Sequence, residues 1–401
     1  MARQFSKLTR RTFLKAGSAA AAGLGVSTLA MPTIAANEPI KLGVVQPFSG
    51  GLELFGGQAK LGLDLAVAEI NAGGGIMGSP IELIYEDDKT DPKTSVERTL
   101  KLIQRDKVIA ISGPITSANR DAMAPSIERF KTPLLYATNY EGGACGRYMF
   151  CFNTVPNQDL AKLLPFLKDN AGNSFYMFGA DYIWPQKMFE VAEGIIAGQG
   201  GEAKGKEFTP FGTKEFAPVI RRIADSGAKV LVFALPGADG ITFIKQAEDF
   251  GLMKNVTVAF LGFTETYLGA FGEGKGQGMY CTVPMVMNSE EPGVKDFVAR
   301  VRKNAGDDKV TVSSYVMTHY NSVQALKAGL EKVGKIDQES AVDGMAGITF
   351  QAPTGEASVS ATDHHTTMNM YLCKTEGLAM NTLQALGALA PPPQCGCSGP
   401  D

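Results

Sequence analysis

Histidine is nearly absent: the 401-residue chain has three, His319, His364 and His365. A Ser-His-Asp hydrolase needs a histidine beside its serine. His319 falls at helical spacing with Tyr315 and Val323, which places it in a core or against a partner rather than at a reacting bond. His364 and His365 are adjacent in ATDHHTT, and neighbours in an extended strand point to opposite faces, so both are expected at the surface rather than on a metal. GxSxG, the Walker loop and HExxH are all missing from the chain, which removes the hydrolase, nucleotide and metalloprotease signatures. Cysteine is also sparse, six in all. Cys395-Gly396-Cys397 lacks zinc-ligand spacing, and Cys145 near Glu141 has no base to activate it as a nucleophile. An exported amidase is therefore only an alternative, and neither a cofactor nor a metal is expected.

Long apolar runs are absent beyond the N-terminus. There, TRRTFLKAGSAAAAGLGVSTLAMPTIAAN (9–37) places Arg10 and Arg11 before Phe13-Leu14-Lys15, a weakly apolar stretch and a small-residue cleavage region near Ala35 or Ala36. This is the pattern of a twin-arginine export signal over residues 1–36, which predicts a periplasmic mature protein. Losing that segment removes five basic and no acidic residues, taking the net charge from −3 to −8, a balance ill suited to nucleic acid. In an oxidising compartment six cysteines permit disulfides, and Cys145 with Cys151, six positions apart in sequence, is the pair expected to close.

What remains alternates strand and helix. Strand patterns at 40–46, 81–85, 108–112 and 133–137 are separated by helical ones at 58–71, 92–105 and 118–130. The alternation then restarts with strands at 174–178, 203–208, 229–234 and 256–261, among helices at 159–170, 186–198, 215–226 and 240–251. Strict alternation implies α/β architecture with parallel sheets covered on both faces, and two series imply two doubly wound lobes. Late helices at 291–303 and 312–333, followed by strand signals, fit if the chain crosses between lobes three times. The expected division is 38–157 plus 287–343, 158–286 plus 344–386, and a Pro/Cys-containing tail over 387–401.

Ligands of open parallel sheets sit beyond the carboxyl ends of the strands. Those ends carry Ser49, then Ser117, then Tyr136, Thr138 and Glu141; in the second series they carry Asp181 and Tyr182, Gly237, and Thr264 and Glu265. Each has a plainer role open to it: Ser117 can cap a helix, a tyrosine can pack with a satisfied hydroxyl, and Glu265 can be solvated. Their shared edge is what marks a site. Planar amides and ureas offer NH2 donors and a carbonyl acceptor, which such hydroxyls, phenols and carboxylates can meet; an amino acid would suit the same set.

The motifs IKLGVVQPFSG (40–50), AVAEINAGGGIMG (66–78), GPITSANRDAMAP (113–125), YATNYEGG (136–143), VPNQ (155–158), GADYIWP (179–185) and GTKEFAPVIRRI (212–223) occur in this order. The mature chain resembles a type I periplasmic solute-binding protein of the branched-chain amino acid ABC transporter class, and its middle resembles the amide- and urea-binding branch. The resemblance implies two lobes closing on a small solute, delivery to an inner-membrane ABC permease, and no chemistry. It implies ligand contacts at Ser117, Tyr136, Thr138 and Tyr182, with Ser49, Glu141, Asp181, Gly237, Thr264 and Glu265 as further candidates. Ala137-Thr138-Asn139 departs from the proline-flanked threonine of such relatives. The 145–151 loop and the PPPQCGC tail look like local additions. An exported partner presenting solute to a membrane sensor would share the pocket.

Overall fold

The computed structural model describes residues 37–395; the export signal and Cys397 lie outside them. The first sheet contains β1 (Ile40–Gln46), β2 (Ile81–Asp87), β3 (Ala110–Ser112), β4 (Leu134–Tyr136) and β5 (Met149–Cys151), all parallel, in the order β2-β1-β3-β4-β5. The second begins with β6 (Ser174–Ala180), β7 (Glu202–Thr209), β8 (Val230–Ala234), β9 (Thr257–Phe260) and β10 (Tyr280–Val283), in the order β7-β6-β8-β9-β10. Numbered within each lobe the two orders are the same, 2-1-3-4-5, the doubly wound arrangement that reverses direction beside its first strand. β6 and β8 are buried along their whole length, the consequence of helices on both faces and the reason they read as unbroken apolar runs.

The remaining strands are antiparallel additions: β11 (Thr349–Ala352), β12 (Gly355–Val359), β13 (Thr366–Glu376) and β14 (Ala379–Leu389). β13 is the third passage between lobes. Just before it His365 bridges to Cys151 of β5, its first residues pair with β12, and Tyr371–Lys374 pair with β10. The first passage follows β5 and the second follows β10, so the sheets are linked three times.

Local chemistry sets the element starts. Asp91 accepts from the Thr94 N–H and Pro92 occupies the first turn of helix Pro92–Lys101, where proline loses nothing. Thr116, not Ser117, caps helix Ser117–Phe130 by accepting from the Asn119 N–H, which frees the Ser117 hydroxyl. The segment expected as one helix over 159–170 is two, Pro156–Leu160 and Leu163–Asn170.

Two expectations are corrected. Cys145 is bonded to Cys395, with Cα atoms 5.6 Å apart, and Cys151 is a buried free thiol. The reason is the sheet: β5 pairs in register with β4, and holds Cys151 against the Tyr140 hydroxyl in the core. Cys145 sits on the half-exposed loop beyond, where the Gly143 N–H also donates to Gln394 of the tail. The histidine pair is buried, His364 stacked on Phe150 at 4.1 Å and His365 bonded to Tyr140. His364 has φ +56°, a left-handed conformation that breaks the alternation an extended strand would impose. His319 is fully buried, its Nδ1 donating to the Tyr315 carbonyl at 2.8 Å and its Nε2 facing Gln46 at 3.1 Å.

Peptide mapping without reduction is therefore expected to recover Cys145 joined to the Cys395 peptide. Because the bond spans 250 residues, reduction or Cys145→Ser should destabilise the protein by about 2–5 kcal/mol, while Cys151→Ser leaves the linkage in place. A Cys145–Cys151 peptide would refute this pairing.

Candidate functional site

In each sheet the order reverses between the first strand and its third-strand neighbour, and the crevice opens there. The two crevices face each other. From the first lobe come Phe55, Ile115, Ser117, Thr138 and Asn139, joined by Tyr315 from helix Ser314–Val333; from the second come Tyr182, Trp184, Pro236 and Gly262. The cavity they leave is about 20 Å³, room for a single water, so a larger solute enters only when the lobes part. The lobes touch directly beside it. The Ala238 N–H points to the Gly51 carbonyl oxygen at 3.4 Å, and a Cβ on Gly237 would lie 2.5 Å from that oxygen. Only glycine permits that approach, and its φ of +68° needs glycine as well.

Thr138 and Ser117 are placed by short, specific bonds. The Thr138 hydroxyl donates to the Pro114 carbonyl at 3.2 Å. The Ser117 hydroxyl donates to Glu141 Oε2 at 2.5 Å, and Glu141 Oε1 accepts from Arg120 Nη2 at 2.7 Å. Arg120 in turn lies over the rings of Tyr136 and Tyr140, at 5.2 and 4.7 Å. Glu141 is thus already paired with Arg120 and meets the cavity lining only at Ser117. Tyr136 is fully buried behind this layer, its hydroxyl donating to the Ile115 carbonyl at 3.1 Å; it supports the wall and is not part of the lining. Burial pushes its phenol well above the ordinary value despite the Arg120 charge. Tyr182 lines the cavity, and burial next to Tyr136 and Glu141 pushes its phenol up too.

Several lining groups went unrecognised in the sequence. Tyr315 donates to Asn139 Oδ1 and packs on Phe55 at 5.0 Å. Trp184 Nε1 is buried without a partner, and Asn139 Nδ2 reaches no acceptor at full hydrogen-bond geometry but faces the Asp159 carboxylate. An unpaired donor at a cavity is what an acceptor on a bound molecule would satisfy. Asn139 stands in YATNY beside Thr138, but which of the neighbours faces the cavity depends on how the chain leaves β4. Tyr315 comes from a helix whose pattern reads as core.

A model of the periplasmic binding protein family matches residues 39–378. The chain belongs to that family. Leu/Ile/Val-binding protein homolog 6 of Brucella melitensis biotype 1 is 25% identical to it over 364 residues, covering 87% of this chain and 92% of the relative. The solute-binding protein of an ABC transporter from Rhodopseudomonas palustris HaA2, solved in complex with p-hydroxybenzoic acid, matches at 26% identity and TM-score 0.80, covering 88% of this chain and 98% of that one. The fold is also that of a branched-chain amino acid transporter substrate-binding protein from Streptococcus pneumoniae in complex with isoleucine, at 22% identity and TM-score 0.77, covering 88% and 100%. This is an ABC transporter solute-binding protein, and its family is not enzymatic. The amidase alternative also loses its nucleophile, because Cys145 is in the disulfide.

The other candidates are not among the residues that line the cavity. Ser49 is committed to Asp87, its hydroxyl donating to Oδ2 at 2.6 Å. Asp181 is exposed and accepts from Gln186. Gly237 donates its N–H to Tyr267 at 2.8 Å. Thr264 bonds Thr266. Glu265 is buried by the second passage between lobes, where Oε1 accepts from the Met287 N–H at 2.8 Å and Oε2 has no partner. Burial raises the Glu265 carboxyl to about 7, against the lowering effect of that N–H.

That shift has a measurable sign. An acid raised by burial contributes stability that is fully present below its unfolded pKa near 4.5 and is lost as pH rises through about 7. Glu265→Gln keeps the acceptor for Met287 and removes the charge. The variant should match wild type near pH 4.5 and exceed it at pH 8 by at most about 3 kcal/mol, measured by denaturant unfolding at both pH values. A difference independent of pH would show that Glu265 is not charged at a cost.

Proposed function

We propose that the chain captures a small solute with a neutral, planar polar head, a short amide or urea, between lobes 38–157 plus 287–343 and 158–286 plus 344–386, and delivers it to an ABC permease from the periplasm. One observation carries the choice of head: the cavity has aromatic walls and the hydroxyl and amide groups of Ser117, Thr138 and Asn139, but no carboxylate or cation among its lining residues. An amide carbonyl can accept from Trp184 Nε1, a donor without a partner, and from Asn139 Nδ2, and the rings of Tyr182 and Phe55 can cover its plane. An α-amino acid would bring a carboxylate into a lining that holds no cation, where uncompensated charge is expensive. The aromatic walls and the N-terminus of helix Ser117–Phe130 support a second reading, an aromatic carboxylate held by the helix end. Presentation of the same solute to a membrane sensor would use the same cleft.

Thermal shift of purified protein against acetamide, butyramide, urea, isoleucine and 4-hydroxybenzoate separates these. The neutral amides or urea should raise the melting point, by about 2.7 kcal/mol of stability at 100 times the dissociation constant, and Ser117→Ala should reduce the shift. A response confined to isoleucine would assign an amino acid, and one confined to 4-hydroxybenzoate an aromatic acid. Either would overturn the neutral head.

A further inference from the structure

Beyond Asn139, Gly262 and Tyr315 lies a second small cavity, of about 10 Å³, that shares those three residues as a wall. Its far side is formed by Asp159, with Thr154, Thr282 and Ser314 around it. Asp159 is 4% exposed, and its Oδ2 has no partner at full hydrogen-bond geometry, with Thr154 and Asn139 the donors that face the carboxylate. Among the described residues no Lys, Arg or His lines this cavity. A buried carboxylate with neither a cation nor a full set of donors is expensive to keep. The partition that separates it from the main cavity is a side-chain contact, the Tyr315 hydroxyl on Asn139 Oδ1, and not backbone.

We propose that the two cavities are one binding site, in which Asp159 receives a positively charged, hydrogen-bond-donating nitrogen at the far end of the solute. The inference rests on the neutral head assigned above: the amide end lies by Ser117, Asn139 and Trp184, and a short aliphatic chain passes Tyr315 to place its ammonium on Asp159 Oδ2. Selectivity for an amino-amide over a plain amide then comes from this residue. The Asp159 carboxyl, which burial raises to about 7 against the lowering effect of Thr154 and Asn139, would be held ionised by the arriving cation and give up its proton on binding. The titratable groups whose charges couple to it are Tyr315 and Cys281, with Glu265 coupled in turn to Cys281.

Titration calorimetry of the purified full chain with butyramide and with 4-aminobutanamide tests this. Wild type should bind 4-aminobutanamide at least roughly tenfold more tightly, the scale of a charge-assisted hydrogen bond. Asp159→Asn should abolish the preference. Repeating the wild-type titrations at pH 7 in two buffers of different ionisation enthalpy should show proton release with 4-aminobutanamide and none with butyramide, and Glu265→Gln should keep that release; this decides the matter even if Asp159→Asn fails to fold. Equal affinities, a preference that survives in Asp159→Asn, or no proton release would overturn the Asp159 subsite while leaving amide capture intact. Failure of wild type to bind either probe would overturn the amide head and the subsite together.

Discussion

Closing one parallel sheet on the edge of another removes water from both sets of strand ends at once, and each polar group caught there must find a partner or keep its desolvation cost. Most of the central architecture answers that requirement. Thr138 turns to the Pro114 carbonyl, Ser117 to Glu141, and Glu141 to Arg120. Behind them Tyr136 bonds the Ile115 carbonyl. Trp184 Nε1 is left without a partner, and Asn139 Nδ2 and Asp159 Oδ2 face each other without full hydrogen-bond geometry. A receptor needs such residues: donors and acceptors fully satisfied within the protein would have nothing left to offer a solute, and closure can be driven only by a solute that binds the closed form better.

The tail adds a covalent element to the same region. β14 belongs to the second sheet, and the chain then runs back through Ala390, whose carbonyl accepts from Asn157, and Gln394, whose N–H donates to Asp363, to reach Cys145. Cys145 lies on the loop that begins with Thr138, Asn139 and Glu141. The disulfide therefore holds the far end of the segment that supplies one wall of the cleft.

The lobes and the edge that carries the site are legible in the sequence because parallel strands buried on both faces appear as apolar runs, and the polar residues that follow them mark the strand ends. Ser117, Thr138 and Tyr182 come together on that basis. The rest needs information that is not local. Asp159 and Tyr315 depend on how the inter-lobe passages pack, and Cys395 finds a partner 250 positions away. His364 and His365 were misplaced because one left-handed residue reverses the alternation on which the strand reading relies. Ser49 occupies a strand end like the others but is consumed by Asp87, a distinction that only the neighbouring strand reveals.

Trp184 is the single tryptophan of the chain, 4% exposed, and on the wall of the cleft. Its fluorescence therefore reports the site without any label. For any solute that raises the melting temperature, Trp184 emission should change saturably with the dissociation constant found by calorimetry. A solute that stabilises the protein while Trp184 emission stays fixed would place binding elsewhere and contradict a site shared by the two lobes.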